Sequence, residues 1–262
     1  MNAPPPIGKN NEPLYERNDT TVKIKDKLLL DMTGLMEHGP INIVILGDSV
    51  SQGAMVNSLD YENVYWNRLK KKLHQFREYV PVNMICTAIG GTTSGQALAR
   101  LDSQVLKHEP DLVIVCFGLN DVNGTLDDYL TSMKTIFEKC KAAKTDVIFM
   151  TPNMLNTRVA SDTAERHLRY AAKTAEMQNS GKMDEYIYSA IRLAREMGVT
   201  VCDCYSKWKE LAKTQDVTAL LINRINHPTP EMHALFADAL YEVILADAQN
   251  TAKAESTMTV QS

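Results

Sequence analysis

The chain of 262 residues holds no apolar run near the roughly 18 residues that a membrane-spanning helix needs, so no span is expected. It lacks a basic excess as well. Its 28 Lys and Arg stand against 32 Asp and Glu, a net charge of −4, which argues against nucleic acid as a partner. Cysteine is sparse and unpatterned: Cys86, Cys116, Cys140, Cys202 and Cys204 are odd in number and show no small-domain spacing. Cys86, Cys116 and Cys202 fall in apolar, strand-like runs, so the thiols read as small buried hydrophobes of a reducing compartment. Cys202-Asp203-Cys204 offers two thiols without further ligands, and no metal site is expected. Internal repeats and dividing linkers are missing too. The opening residues, MNAPPPIGKNNEP, carry no apolar core of the signal-peptide kind, and a cytoplasmic protein is the expectation. The remaining bulk is ordinary, with 44% hydrophobic and 23% charged residues, enough chain for one large domain or two small ones.

The informative stretch is INIVILGDSVSQG, starting at Ile41. Branched apolar residues end abruptly in Gly47-Asp48-Ser49, the pattern of a buried strand running into a turn. Similar strands are expected at 82–89, 112–117, 147–150 and 199–205. Between them, apolar residues at helical spacing predict helices over 21–38, 62–76, 96–108 and 126–143, and a longer helical interval over 160–197 broken near Asn179-Ser180-Gly181. A polar loop spans 216–228, and Thr229 as cap with Pro230 at the first position predicts the start of the last helix. Residues 1–20 read as a surface arm, 21–249 as one domain and 250–262 as a polar tail. Alternating strands and helices imply a five-stranded parallel sheet in a three-layer α/β/α fold.

In such a sheet, ligands bind beyond the carboxyl ends of the strands. The loops there carry Ser49, Gly91 and Asn120, and the loop before the last helix carries His227. These are the parts acyl transfer needs. A serine requires an adjacent base. Imidazole can take the proton and return it to the leaving group. The Ser49 and Gly91 N–H groups and the Asn120 amide could face an oxyanion. Asp48 and Asp121 read as turn braces. His38, His74, His108, His167 and His233 read as surface or packing residues.

GDS after the first strand, AIGGTTSGQALARL after the second, VIVCFGLND closing the third and NHP before the last helix occur in that order. Together they resemble the SGNH (GDSL) hydrolase family over most of the chain. The resemblance implies a flavodoxin-like fold, Ser49 as nucleophile, His227 as base, and Ser49, Gly91 and Asn120 as the oxyanion hole. Gly91 is preferred to Gly90 because it directly precedes Thr-Thr-Ser, as the family's second-block glycine does. No metal or cofactor is implied. LYERND ahead of the first strand and the NRINHP ending are similar to bacterial carbohydrate acetylesterases of the family, which makes an acetylated oligosaccharide the expected substrate, with neither nucleic acid nor membrane as a partner. A lipase, thioesterase or acyltransferase would use the same residues, and a binding protein that has lost turnover is the alternative of another class.

One position departs from the family pattern. Its usual acid lies three residues before the histidine, where this chain has Arg224. Asn223 and Asn226 nearby are not carboxylates. Two readings stay open: a Ser–His dyad with a backbone carbonyl orienting the ring, which is preferred, or an acid from elsewhere, with Asp203 one candidate.

Overall fold

The computed structural model describes residues 24–77 and 80–259, with side chains through 246. The expected arm at 1–20 lies outside the described residues.

Five short apolar runs form one parallel sheet in the order β2-β1-β3-β4-β5. They are β1 Ile41–Gly47, β2 Val82–Cys86, β3 Leu112–Cys116, β4 Asp146–Met150 and β5 Thr200–Cys202. Every residue of β3 is buried, as a central strand covered on both faces must be. Two layers of helix do the covering. Tyr65–Phe76 (α4) packs against the last helix, His233–Thr259 (α11), on one face, and Ser94–Leu98 (α5), Leu126–Ala142 (α7) and Lys182–Glu196 (α9) cover the other. The helices α1 (Ile24–Lys27), α2 (Met32–His38), α3 (Ser49–Gln52), α6 (Leu101–Gln104), α8 (Leu168–Asn179) and α10 (Cys204–Leu211) complete the chain order. This is the three-layer α/β/α architecture expected. The strand order reverses between β1 and β3, and the crevice opened there lies beside the end of β1, where Ser49 follows.

Several local expectations need correction. The helix over 21–38 is two pieces. Asp31 accepts the Gly34 N–H at 2.9 Å and starts a new helix, a side-chain cap outcompeting a continuous ladder. Met32, expected on the apolar stripe of this helix, is exposed, while Leu28 is buried. The helix over 96–108 is likewise broken, yet Ala97, Leu101 and Val105 all remain buried. The periodicity reported which side is dry, not whether the ladder is continuous. Strand two stops at Cys86 and strand five at Cys202, both earlier than expected. Thr229 does not cap an α-helix directly, since its carbonyl accepts from the Met232 N–H three residues on, a 3₁₀-type bond, while its own N–H pairs with the Leu220 carbonyl. A tight turn follows, with i→i+3 bonds from Met232 and His233, and the α-helical ladder begins at His233. That helix continues to Thr259, into the stretch expected to be a polar tail. The break near Gly181, at φ +81, falls where it was expected.

Candidate active site

The position of Ser49 is built by the end of β1. Asp48 caps α3, its carboxylate accepting the Val50 N–H at 3.0 Å, and Ser49 begins that helix, nearly buried at 8% exposure. Asp48 itself is sealed from water. Burial, with the Asp121 carboxylate adding repulsion, pushes its pKa up to about 7.

Two further strand ends converge on Ser49. After β2 the backbone turns through Gly90 and Gly91. Gly91 takes φ +75, a conformation that favours glycine, and a side chain at Gly90 would meet Gln52 Oε1 at 2.8 Å. The Gly90 N–H is already used, donating to Gln52 Oε1 at 2.9 Å. The Gly91 N–H has no partner among the described residues. After β3, the Asn120 amide nitrogen donates to the Thr92 carbonyl at 3.0 Å and lies 3.5 Å from Asp48 Oδ2. Asp121 locks these two loops together. It accepts from the Ser94 N–H at 2.8 Å, the Ser94 hydroxyl at 2.6 Å and the Gly118 N–H at 3.1 Å. The brace role expected of Asp48 and Asp121 is what their contacts describe.

His227 arrives on the loop ahead of α11. Leu221 and Pro228 bridge its two sides, and the Ile222 N–H donates to the His227 carbonyl at 2.7 Å. Inside the loop, Asn223 Oδ1 accepts the N–H groups of Ile225, Asn226 and His227, each at 3.0 Å. From outside, Asn153 Nδ2 donates to the Asn226 carbonyl at 2.9 Å. The ring is thereby carried to Ser49, with Nε2 2.9 Å from Ser49 Oγ.

The other ring nitrogen, Nδ1, lies 3.3 Å from the Met55 carbonyl oxygen. A carbonyl can only accept, so the Nδ1 must carry the hydrogen. Nε2 then presents its lone pair to the Ser49 hydroxyl. Burial holds the His227 pKa below the usual 6.5, and the Met55 carbonyl pulls back the other way. The imidazole is therefore neutral near pH 7, the state a base requires.

Asp203 does not serve the histidine. Its carboxylate accepts from the Ser206 N–H at 3.0 Å and hydroxyl at 2.6 Å and from the Thr151 hydroxyl at 3.2 Å, capping α10. Arg224, in the usual acid position, has φ +60 and turns to Asp162, with Nε and Nη2 each 2.9 Å from Asp162 Oδ2. The pair forms part of the wall of a cavity of about 440 Å³ that also holds Ser49, Gly91, Asn120 and His227. His167, an exposed residue as expected, and Tyr170 line the same cavity. Met55, Gln52 and Asn223 were not assigned roles from sequence. Only Asn223 left a signal, as a turn-forming residue shortly before the histidine. The thiols of Cys202 and Cys204 are buried, 3.7 Å apart. No group of three metal-ligating side chains occurs among the described residues.

A parallel sheet in a three-layer α/β/α fold, with a serine at the end of β1 and a histidine in hydrogen-bond contact, defines the class of hydrolase to which the chain belongs. The model of the GDSL-like lipase/acylhydrolase family matches residues 45–235, and the chain is a member of that family, a carboxylic ester hydrolase of the SGNH type. An acetylxylan esterase of Geobacillus stearothermophilus is 23% identical over 175 residues, 62% of this chain and 72% of that one. The structure of Axe2, an acetylxylan esterase from Geobacillus stearothermophilus, aligns with TM-score 0.63 at 20% identity, over 78% of this chain and 94% of that one. The acetyl xylan esterase AlAXEase aligns with TM-score 0.60 at 20% identity, over 77% and 98%. At such identities the structural likeness speaks for the fold. Structures described as catalytic mutants of Axe2 replace a serine, an aspartate and a histidine by alanine. No helix among the described residues is long and apolar enough to cross a membrane.

Proposed function

We propose that the chain is a serine esterase that removes short acyl groups, acetyl above all, from carbohydrate. The observation that carries the mechanism is the His227 ring held between the Met55 carbonyl and Ser49 Oγ, at 3.3 and 2.9 Å. Ser49 Oγ attacks the ester carbonyl while its proton passes to Nε2. The tetrahedral oxyanion is met by the Ser49 and Gly91 N–H groups and by the Asn120 amide, whose second hydrogen is spent only on a contact at the hydrogen-bond limit. The proton on Nε2 goes to the leaving alcohol, the carbon–oxygen bond breaks, and an acetyl-serine remains. Water then attacks, gives its proton to Nε2, and acetate departs as Ser49 recovers that proton.

The Met55 carbonyl takes the place of the aspartate in this scheme. It fixes the tautomer as a carboxylate would, but a neutral dipole stabilises the imidazolium less. The enzyme therefore works as a dyad, with the oxyanion hole carrying a larger share of the catalysis. Acetyl specificity and a sugar substrate are supported by the named activities of the acetylxylan esterases it resembles.

Hydrolysis of p-nitrophenyl acetate, butyrate and octanoate by wild type and Ser49→Ala tests the reading, followed by acetylated xylooligosaccharides. Acetate should be preferred and Ser49→Ala should lose the activity. A preference for octanoate would move the substrate to lipid. Equal activity in the variant would remove the serine mechanism.

A further inference from the structure

An ester has two ends, and the cavity around Ser49 accounts for one of them. Beside it lies a second, broader groove of about 830 Å³, formed by the loop from Met55 to Glu62 with Ile222 and Pro230. Met55, Val56 and Ile222 line both spaces, so the groove borders the reaction cavity. We propose that this groove binds the alcohol part of the substrate, a sugar chain, with Tyr61 as the platform on which a pyranose ring lies. The proposal rests on the esterase reading above and adds the site of the leaving group to it.

Three features point to a sugar. Tyr61 is 52% exposed, and Val56 and Leu59 beside it are 50% and 42% exposed, an apolar patch of the kind that marks a ligand groove. The platform is firmly mounted. The Tyr61 ring lies 6.3 Å from that of Trp66, and the Trp66 indole N–H donates at 2.9 Å to the Ser51 carbonyl, two residues from the nucleophile. The loop is tied to itself as well, through an Ala54–Leu59 bridge and the Met55 N–H donating to the Ser58 carbonyl at 2.8 Å. Finally, the groove is amphipathic. Asp60 and Glu62 stand in the same loop as the apolar residues. Asp60 is held ionised by hydrogen bonds from Asn63 and from the Glu62 N–H.

A fatty acyl chain would strip water from those carboxylates at a cost. A neutral sugar presents an apolar face to the ring and hydroxyl donors to the acids. The loop has a second duty, because its Met55 carbonyl orients His227. A sugar seated on it would rest against the element that sets the base.

The test compares wild type, Tyr61→Ala and Tyr61→Phe on p-nitrophenyl esters and on acetylated xylooligosaccharides. Titration of Ser49→Ala and Ser49→Ala/Tyr61→Ala with unacetylated xylohexaose gives a readout independent of turnover. Tyr61→Ala should lower kcat/KM for the oligosaccharide about tenfold more than for p-nitrophenyl acetate, through KM, and weaken xylohexaose binding by a similar factor. Tyr61→Phe, which keeps the ring, should behave as wild type. If wild type deacetylates the oligosaccharide and Tyr61→Ala does so equally well, the subsite is refuted while the esterase reading stands. A changed octanoate-to-acetate ratio in Tyr61→Ala would refute it in another way, by placing the acyl chain in the groove. If wild type cleaves p-nitrophenyl acetate but no acetylated sugar, and xylohexaose does not bind, the carbohydrate reading itself fails.

Discussion

Replacing Asn223 by alanine should injure the enzyme without touching a reacting atom. Asn223 Oδ1 accepts three backbone N–H groups at 3.0 Å, including that of His227, and its amide donates to Asn226 Oδ1 at 2.9 Å. A hydrogen bond contributes about 0.5–1.5 kcal/mol net, and on a half-exposed loop water replaces part of it, so the loss is about 2 kcal/mol. Where that loss appears depends on how the loop opens. If it opens only with the whole domain, the melting temperature falls by about 4–8 °C. If it opens alone, the fraction of molecules with His227 in place falls, and kcat/KM drops by up to about 30-fold. Thermal melts and p-nitrophenyl acetate kinetics on the same preparation separate the two. Asn223→Asp keeps the accepting oxygen and loses only the bond to Asn226, so it should stay within about tenfold of wild type. Wild-type kinetics and an unchanged melt in Asn223→Ala would refute the view that this side chain holds the histidine loop.

Other expectations follow from the same geometry. Because burial holds His227 below 6.5 and only its neutral form can act as base, kcat/KM should rise with pH along a limb centred below 6.5 and stay level above it. A midpoint at or above 7 in a pH–rate profile would reveal a carboxylate partner that raises it. Gln52→Ala frees the Gly90 N–H and loosens the turn that presents Gly91. Part of the 10²–10³ carried by an oxyanion donor should be lost, about tenfold in kcat with KM within twofold. A rise in KM alone would make Gln52 a substrate contact. Asp203→Ala removes the cap of α10 and should cost about 1 kcal/mol, lowering the melting temperature by about 2–4 °C with kcat within twofold. A hundredfold loss of turnover would return Asp203 to the catalytic role.

The sheet was legible because its strands are short apolar runs between polar turns, and a run such as 112–116 has no other place to be than the centre. The helix bounds were less legible, for reasons that differ by residue. At Asp31 a local cap divided an apolar stripe. At Thr229 a tighter i→i+3 turn, closed by Met232 donating to the Thr229 carbonyl, delayed the α-helix to His233. Neither competitor shows in periodicity. The residues that the structure gathers around Ser49 were easier, since a serine at a strand end, a glycine, an asparagine and a late histidine each carry their chemistry in the residue type.

The partner of His227 carries nothing in its type. Every residue but the last has a carbonyl to offer, so Met55 could be found only once the loop after α3 was seen to fold back at Gly53, where φ +82 turns the chain. What the sequence did hold was the counterpart of that substitution. The Met55 carbonyl stands at Nδ1, and the residue at position 224 points elsewhere, to Asp162 in the cavity wall. An arginine in place of the acid therefore does not by itself mark a dead site. Placing Arg224→Asp in this background would not rebuild a triad while the φ +60 backbone and the Asn223 brace hold the loop in its present course. The Asp162 partner would then face a like charge, and a loosened cavity wall is the outcome to expect from kinetics, rather than a faster base.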